Sequence, residues 1–481
     1  MSMTQCQWQP LKTLFFYLAA VTLLIVLSFY FYPSMAEIAS NKISLPEIAL
    51  PPFLNLSASY TESLPISADP TISYTKWLGG VPGYQVFQNI WVKDGAIYLV
   101  NPQRSTVPGM SRVISGDTRW EIMRQTDDPA LHGARDALIL DGSTVFLNDG
   151  AKTDSWHYLS SYYHLVAEVL LGGITALASV PATREMVEEV RTGVEVPKVP
   201  NRIAIPWPAA EGWRDPDGVN EFMVKGIFGT DILEPINWKV LSEPTTPHHG
   251  WIFMPRVVII DRWAAHRHNP LTDAVNKMSA SIFVRPHPPF FFTPTRLALL
   301  SHLSIPVPPA RMQPQHSLRK IPKIVYVDRQ DTSRKLSATA HAELAVVLGE
   351  MEAVGKATVG HKKMSKLVLP EQIEAVADAD ILIGVHGDGL THQMWMPEGG
   401  VVIELLPPDS FMRENQIVAD VLNHQFIPVW EDRALSREEW DSLPRQHGEH
   451  LLNNGEDIPL DGTFLRLLLE EVIQRMTGEL T

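Results

Sequence analysis

The chain has 481 residues, of which 45% are hydrophobic and 20% are charged, and its formal net charge is −14 at pH 7. A chain of this length is longer than a single hydrophobic core usually accommodates, so two domains are expected. The acidic balance argues against general nucleic-acid binding, which needs a basic surface to meet the phosphate backbone. The single cysteine, Cys6, excludes an intrachain disulfide and a cysteine-rich metal site.

The first predicted element is an uncharged apolar run at residues 14–32, LFFYLAAVTLLIVLSFYFY. As a helix it is roughly 28 Å long, close to the roughly 30 Å thickness of a bilayer's hydrocarbon core. We expect a single-pass type II signal anchor with residues 1–13 as a cytosolic tail, because Lys12 is the one charge before the run. A cleaved signal peptide is the alternative, although the run exceeds an ordinary signal-peptide core.

Residues 33–75 are proline-flanked and lack helical periodicity, which predicts a stem. This stem contains the N-glycosylation sequon Asn55-Leu56-Ser57. With an uncleaved anchor, the rest of the chain would lie in the lumen of the secretory pathway.

The next part of the chain predicts short strands and one long helix. YQVFQNIWV, GAIYLV, DALILDGSTVFLN, NRIAIPW and RVVIIDR have the alternating or continuous apolar pattern of strands. SWHYLSSYYHLVAEVLLGGITALASV has apolar residues at helical spacing, although Gly172 and Gly173 weaken the pattern near its middle. The segment from Phe283 to Pro309 is dense in proline, and we place a domain boundary at residue 310.

A regular alternation of strand and helix follows that boundary. KIVYVDRQ, KATVGH, DILIGVHG and VVIELLP predict strands, SATAHAELAVVLGEMEAVG and LPEQIEAVADA predict helices, and LTHQMWM starts a helical turn. This order predicts right-handed βαβ units and a parallel sheet. The chain ends with an amphipathic helix, TFLRLLLEEVIQRMTG.

Two loops of this predicted sheet contain candidate ligands for an anion. Ligands bind outside the carboxyl ends of strands in open parallel sheets. The loop VDRQDTSRKL provides Arg329 and Arg334, which can fork onto a pyrophosphate, although a solvated loop or an interdomain salt bridge remains equally open. In GVHGDGLTH, glycines permit a tight turn, the following helix favours phosphate, and His386 can donate a hydrogen bond. Glu404 closes the next strand, where an acidic residue can accept hydrogen bonds from a ribose.

Three segments resemble glycosyltransferase family 61. GVHGDGLTHQMWMPEGGVVIEL is similar to the family's motif, commonly written GVHGAGLTN and followed by a proline-glycine turn and a strand ending in glutamate. IVYVDRQDTSRKL resembles the family's strand with an arginine loop, and SSYYHLVAEVL resembles its tyrosine-histidine helix. The resemblance covers roughly residues 140–430. The family includes plant xylosyl- and arabinosyltransferases and animal EGF-domain O-linked N-acetylglucosaminyltransferases, and we expect a fungal-type member.

The resemblance implies an α/β, GT-B-like fold with two Rossmann-like domains facing a cleft, here preceded by one transmembrane helix. Residues 76–310 would form the acceptor-side domain, 311–445 the nucleotide-sugar-binding domain, and 446–481 a C-terminal helical segment. The implied reaction is inverting and metal-independent, without a cofactor. We expect transfer from a nucleotide sugar, a UDP-sugar, to a glycan or glycoprotein, by an enzyme of the Golgi or ER membrane whose catalytic part is lumenal.

The inverting reaction needs a base for the acceptor hydroxyl and cationic groups for the leaving diphosphate. His164 and Glu168 share one helical face, so one can be the base and the other its orienter, although such residues are often core. Asp261 is a second candidate base. We expect the donor to be bound by the following residues: Arg329, Arg334, Gly384, His386, Gly387, Gly389, Leu390, Thr391 and Glu404.

Two departures from the family motif keep a second function class open. Asp388 replaces the family's alanine, and His392 replaces its asparagine. The alternative is therefore a non-catalytic lumenal binding protein or chaperone on a decayed transferase fold.

A metal-dependent transferase is a further alternative, because it needs an Asp-x-Asp motif. The chain has two such triplets, at residues 215–217 and 378–380, but neither follows a predicted strand. His266, His268 and the pair His248-His249 lack nearby carboxylates in sequence, and we expect them in surface loops. We therefore predict that the donor site contains no metal.

Overall fold

The structure is a computed structural model that describes residues 74–115, 119–123, 131–149, 159–182, 184–189, 195–207, 212–269, 271, 275, 277–306, 321–443 and 457–478. These residues belong to one compact unit containing two large sheets. The expected tail, anchor, sequon and nearly all of the stem lie outside the described residues. No helix among the described residues combines the length and hydrophobicity that a membrane span requires.

The first large sheet is mixed. The strands of this half are β1 (Lys76–Val81), β2 (Tyr84–Lys93), β3 (Ala96–Val100), β4 (Arg119–Met123), β5 (Leu138–Ile139), β6 (Ser143–Leu147), β7 (Val187–Glu189), β8 (Glu195–Pro197), β9 (Arg202–Ala204), β10 (Ile232–Leu233) and β11 (Ile252–Ile260). Within the described residues the sheet order is β10-β9-β6-β11-β2-β3-β4, with β1 on β2 and β5 on β11, while β7 and β8 form a separate pair. The buried runs predicted as strands are confirmed as β2, β3, β5, β6, β9 and β11.

Helices cover this sheet and begin with a helix that was predicted from periodicity. The helical segments are a π-helical turn (His164–Leu171) that continues into α1 (Gly172–Ala178), then α2 (Val219–Phe228), α3 (Pro235–Leu241), α4 (Arg262–His268), α5 (Ala280–Phe283) and α6 (Thr293–His302). The predicted helix is confirmed and continues through both glycines. A Cβ at Gly172 would lie 2.7 Å from Tyr84 Cε1, so glycine lets the helix pack closely on β2.

The second large sheet has the predicted alternation of strand and helix. Its strands are β12 (Lys323–Val327), β13 (Thr358–Lys362), β14 (Ile381–Val385), β15 (Val401–Leu406), β16 (Gln425–Trp430) and β17 (Arg433–Ala434). Its helical segments are α7 (Ala338–Ala353), α8 (Leu369–Val376), a 3₁₀ segment (Asp388–Trp395), α9 (Glu414–Val421), α10 (Arg437–Ser442) and α11 (Gly462–Thr477). The parallel βαβ arrangement is confirmed; α9, α10, β16 and β17 were not predicted.

The order of the second sheet is β13-β12-β14-β15-β16-β17, and it is parallel except for β17. Numbered within this half, the parallel strands follow the order 2-1-3-4-5 of a flavodoxin-like doubly wound sheet. The order reverses between β12 and β14. In such sheets, the crevice outside this reversal point is the usual ligand site.

The two sheets share a continuous hydrophobic core, which includes residues of α1, α2, β12 and the 3₁₀ segment. Helix α6 also connects the two halves: the buried Arg296 donates from Nε to the carbonyl of Trp395 over 2.8 Å. The predicted boundary at residue 310 lies outside the described residues, and the division into two domains stays a prediction.

Candidate active site

The candidate site begins where the loops after β12 and β14 meet. The two strands pair in parallel, from Ile324 with Ile381 to Val327 with Gly384, so their carboxyl ends lie at the same edge of the sheet. The arginine loop follows β12, and the glycine-rich loop follows β14. Both loops therefore border the crevice where the strand order reverses.

Arg329 connects the two loops. Its Nη1 donates to the carbonyl oxygen of His386 over 3.0 Å. This contact depends on Gly387, which has a φ of +136° and whose Cβ, if present, would lie 1.7 Å from Arg329 Nη1. Burial, together with the charge of Arg334, lowers the pKa of Arg329. Among the described residues, no carboxylate lies within ion-pair distance of Arg334.

His386 is a residue of the glycine-rich loop, and its side chain is buried in a polar network. Its Nδ1 donates to Glu404 Oε1 over 2.6 Å, and its Nε2 lies 3.3 Å from Glu414 Oε1. Asn415 donates from Nδ2 to the same Glu404 oxygen over 2.6 Å. Lys277 closes the network with an ion pair of 2.6 Å to Glu414. The arrangement fixes the imidazole of His386 on both sides.

The network favours a charged His386. Burial lowers the pKa of His386, but Glu404 and Glu414 outweigh this effect, and the net shift of the pKa is upward. For Glu414, burial raises the pKa, but Lys277 and His386 together lower it to about 2. Both carboxylates therefore stabilise positive charge next to the glycine-rich loop.

Glu404 was predicted to contact a ribose, but its position differs from that expectation. Its side chain is fully buried, and it accepts hydrogen bonds from His386 and from Asn415 of α9. In this structure Glu404 orients His386 and does not face the crevice.

The predicted His164 and Glu168 pair is present on the π-helical turn. His164 Nδ1 donates to Glu168 Oε2 over 2.7 Å, and the same carboxylate oxygen accepts from Arg262 Nη1 over 3.1 Å. Arg262, which is fully buried, also donates from Nε to Asp149 over 2.7 Å. Burial raises the pKa of Glu168, but His164 and Arg262 lower it to about 2. Glu168 is thus a fixed anion that orients the ring of His164.

Lys277 and its neighbour Met278 connect the pair to the His386 network. The backbone N–H of Met278 donates to Glu168 Oε1 over 3.4 Å, while the Lys277 ammonium binds Glu414 and lies 5.4 Å from the centre of the Tyr163 ring. Through these contacts the His164 side and the loop side belong to one polar site. His164 is 22% exposed, and Nε2, the ring nitrogen opposite Glu168, has no hydrogen-bond partner within the described part of the chain.

His392 lies in a different environment. Trp395 Nε1 donates to the Tyr162 hydroxyl over 2.7 Å, Tyr162 donates to His392 Nδ1 over 3.2 Å, and His392 Nε2 donates to Gln372 Oε1 over 3.0 Å. Burial lowers the pKa of His392 to about 4, so the ring is neutral. A neutral imidazole offers one donor and one acceptor, as an asparagine amide also does, which gives the departure from the family motif a physical explanation.

Asp261 caps α4 instead of facing the polar site. Its carboxylate accepts from the backbone N–H of Ala264 and Ser115, from the Ser115 hydroxyl and from Asn148. Burial, with Asp149 nearby, raises the pKa of Asp261 to about 6. The four donors favour a structural role over proton transfer.

The remaining predicted donor-site residues support the loop from within. Gly384 lies in β14 against Leu390 and Val327, and Gly389 approaches Val327. Leu390 and Thr391 are fully buried. Their positions indicate that they shape the loop and its 3₁₀ segment.

Three of the four carboxylates in the Asp-x-Asp triplets have structural partners, and Asp217 is exposed. Asp215 accepts from the backbone N–H of Val219 and Asn220 at the start of α2. Asp378 pairs with the Lys323 ammonium, and Asp380 accepts from the Lys323 backbone N–H over 2.8 Å. One group among the described residues does have metal-ligand spacing, and it consists of Asp328, His341 and His361.

Sequence reasoning missed Lys277, Glu414 and Asn415. Lys277 is distant in sequence from the loops, and α9, which begins at Glu414, was not predicted. A usable signal was present: the polar run Arg413-Glu414-Asn415-Gln416, which follows the short connection after β15.

Comparison with known proteins assigns this site to a class. The family Glycosyltransferase 61 matches residues 162–403, half of the chain, and the chain belongs to this family. It is therefore an enzyme, a glycosyltransferase. The matched range includes His164, Lys277, Arg329 and His386, and ends one residue before Glu404.

A protein of Drosophila melanogaster described as EGF domain-specific O-linked N-acetylglucosamine transferase is 31% identical over 107 residues. The match covers 22% of this chain and 18% of that protein. The chain therefore spans less than a fifth of the length of this relative.

Proposed function

We propose that the chain is an inverting, metal-independent glycosyltransferase that moves a sugar from a nucleotide donor, a UDP-sugar, to a hydroxyl of a glycan or glycoprotein. The observation that carries the proposal is the polar site in which the His164–Glu168 pair is connected, through Met278 and Lys277, to the Glu414–His386 network. Arg329 contacts the same network through the His386 carbonyl. Such a site places a candidate base, His164, in the same site as cationic groups that can bind a diphosphate.

Arg329 and Arg334 bind the diphosphate directly in this proposal. They extend from the loop at the reversal point of a doubly wound sheet, and a guanidinium matches two phosphate oxygens at once. His386 is 2% exposed and has carboxylates at both ring nitrogens, so it contributes positive charge from below. The charge of Arg334 disfavours the charged form of Arg329, and a bound dianion would offset this effect.

His164 is the proposed base. The acceptor hydroxyl transfers its proton to His164 Nε2 while its oxygen attacks the anomeric carbon of the sugar. The bond from that carbon to the phosphate oxygen breaks, and the nucleoside diphosphate leaves with the electron pair. Glu168 orients the ring through Nδ1 and stabilises the imidazolium that forms, as a buried carboxylate does in other histidine-base sites.

Protein cations take the place of a metal in this mechanism. Leaving-group charge is stabilised most effectively by preorganised donors in a site that excludes water. Three of the four carboxylates in the Asp-x-Asp triplets, those of Asp215, Asp378 and Asp380, have backbone or lysine partners, which supports a reaction that does not use them. No cofactor is needed, because the donor carries the activated sugar.

The proposal includes a GT-B-like arrangement, with residues 76–310 as the acceptor side and residues 311–445 as the donor side. The shared polar site between the two sheets supports it. It also includes a type II membrane enzyme of the Golgi or ER, which is supported by the apolar run at residues 14–32.

Ligand-induced thermal stabilisation of the purified full chain tests the proposal. UDP at about 100 times its dissociation constant is expected to stabilise the wild type by about 3 kcal/mol, and Arg329→Ala is expected to lose most of this effect. Arg466→Ala, which removes an exposed guanidinium paired with Glu350, is the matched control and should respond as the wild type.

Stabilisation by UDP without transfer or donor hydrolysis would favour the non-catalytic binding protein over the enzyme. The absence of stabilisation by any nucleoside diphosphate, at concentrations that saturate related transferases, would contradict the proposed donor site. Transfer that requires added metal after chelation would contradict the proposed mechanism.

A further inference from the structure

We infer that Asp328, His341 and His361 form a binding site for a divalent transition metal, with zinc as its natural occupant, on the outer side of β12. The three residues contribute ligand atoms that all lie within 4.8 Å of one another. The inference concerns a site separate from the one proposed for sugar transfer, and it does not rest on that function.

Three neighbouring elements bring the ligands together. Asp328 directly follows β12, and His361 lies in β13, where it pairs with Tyr326 in the parallel register. His341 lies in the first turn of α7, whose N-cap is the Ser337 side chain. Ligands on a strand end, an adjacent strand and a packed helix are held by regular structure, which favours a defined coordination geometry.

The distances are close to those of a coordinated ion. Asp328 Oδ2 lies 2.7 Å from His361 Nε2 and 3.6 Å from His341 Nε2. Zinc bonds of about 2.0–2.1 Å in a tetrahedron place ligand atoms roughly 3.3 Å apart. Both distances fall within about 0.6 Å of that value. The 2.7 Å contact is a hydrogen bond in this structure, which a bound ion would replace.

The chemistry of the cluster leaves positions open for a ligand. Asp328 Oδ1 accepts from the Gln330 backbone N–H over 2.7 Å, so Oδ2 is the oxygen directed to the histidines. His341 Nε2 is buried and has no hydrogen-bond partner within the described part of the chain. The Tyr326 hydroxyl is also buried without a partner there, and its ring contacts both imidazoles. Unpaired buried polar atoms are costly, and a metal would satisfy His341.

The ligand set selects the type of ion. Two imidazoles and one carboxylate suit zinc and similar transition metals, whereas magnesium and calcium prefer oxygen ligands. Three protein ligands leave a fourth position for water or for the Tyr326 hydroxyl. The site differs from the histidines considered in the sequence, His266 and His268, which have no place in this cluster.

The position of the site indicates a structural role. Strand β13 lies on one side of β12 and β14 lies on the other. The Asp328 carboxylate is directed to the β13 side, while the Arg329 guanidinium reaches the loop after β14. A metal bound to Asp328 would therefore fix the start of the arginine loop without entering the transfer chemistry.

Metal content and thermal stability of the full chain test the inference. After loading with Zn²⁺ and dialysis, the wild type is expected to retain an equimolar amount of zinc. His341→Gln and His361→Gln are expected to bind zinc at least about 10-fold more weakly. The double variant His266→Ala/His268→Ala removes two imidazoles elsewhere and should retain zinc as the wild type does.

Two further measurements guard against misfolded variants. His361 is 43% exposed, so His361→Gln should fold, and its melting temperature without metal is the baseline for its own response to zinc. Addition of zinc should raise the melting temperature of the wild type and of the control, but not of His361→Gln. Failure of the wild type to retain zinc, or equal retention by His341→Gln and His361→Gln, would overturn the inference.

Discussion

Replacement of Gly387 by alanine tests how the glycine-rich loop holds Arg329. Gly387 has a φ of +136° and an extended ψ of −176°, a conformation that is essentially restricted to glycine. An alanine there costs about 1–3 kcal/mol in backbone strain. Its Cβ would also lie 1.7 Å from Arg329 Nη1, far inside van der Waals contact, so the guanidinium must leave.

The expulsion of Arg329 has its own cost. The hydrogen bond from Arg329 to the His386 carbonyl involves a charged donor, and its loss costs about 1.5–3 kcal/mol. Gly387→Ala should therefore destabilise the wild type by the sum, roughly 3–6 kcal/mol. In an Arg329→Ala background, alanine at position 387 should cost the strain alone.

A double-mutant cycle measured by urea unfolding separates the two terms. The double variant should be about as stable as Gly387→Ala alone, with a coupling energy of about 1.5–3 kcal/mol. Gly79→Ala is the matched control, since Gly79 has a φ of +140° and its Cβ would approach only a Val180 methyl group, at 3.0 Å. It should give a strain cost that Arg329→Ala does not change.

Additive destabilisation by Gly387→Ala and Arg329→Ala would show that the Arg329 guanidinium does not occupy the space beside Gly387. The same variants give a second readout. Gly387→Ala should weaken UDP binding by a factor similar to that of Arg329→Ala, and the double variant should weaken it no further.

Three other predictions concern the polar site. The pKa of His392 is about 4 in the folded state against an ordinary value of 6.5, so the unfolded state binds more protons between these values and stability falls as the pH falls. His392→Asn should therefore remove roughly 2 kcal/mol of the difference in unfolding free energy between pH 7 and pH 5. An unchanged difference would contradict a neutral buried ring. Lys277→Met leaves Glu414 buried without its main partner and should lower the free energy of unfolding in urea by about 3–5 kcal/mol. Adding Glu414→Gln should recover about half of this loss of stability. No recovery would show that packing, not charge, explains the loss. Asp388→Ala removes an anion that interacts with Arg329 and Lys277. Because this anion would repel a diphosphate, UDP should bind the variant about 3–10 times more tightly in calorimetry. Weaker binding would indicate that Asp388 contacts the ligand.

Local patterns predicted the parts of the molecule that local physics determines. Alternating strands and helices from β12 to β15 follow from period and turn residues, and the loops at their carboxyl ends follow from chain order. His164 and Glu168 were predicted as neighbours because a helix brings positions i and i+4 together, and they are hydrogen-bonded.

Long-range packing explains what could not be predicted. The sequence does not show that Asn415 and Glu414 of α9 reach Glu404 and His386, so the burial of Glu404 and the contribution of Glu414 could not be predicted. Lys277 forms an ion pair with Glu414, which lies 137 positions later in the sequence, so no local pattern could indicate this contact. Asp261 is different, because an aspartate just before a helix is a recognisable N-cap, and that signal was available.

In the proposed mechanism His164 accepts the proton of the acceptor hydroxyl at a site where the donor is bound by other residues. The most direct test is single-turnover transfer by His164→Asn with saturating UDP-sugar, with donor affinity measured in parallel. We predict unchanged donor affinity and a transfer rate at least about 100-fold below that of the wild type. Transfer at the wild-type rate by His164→Asn would show that His164 is not the base.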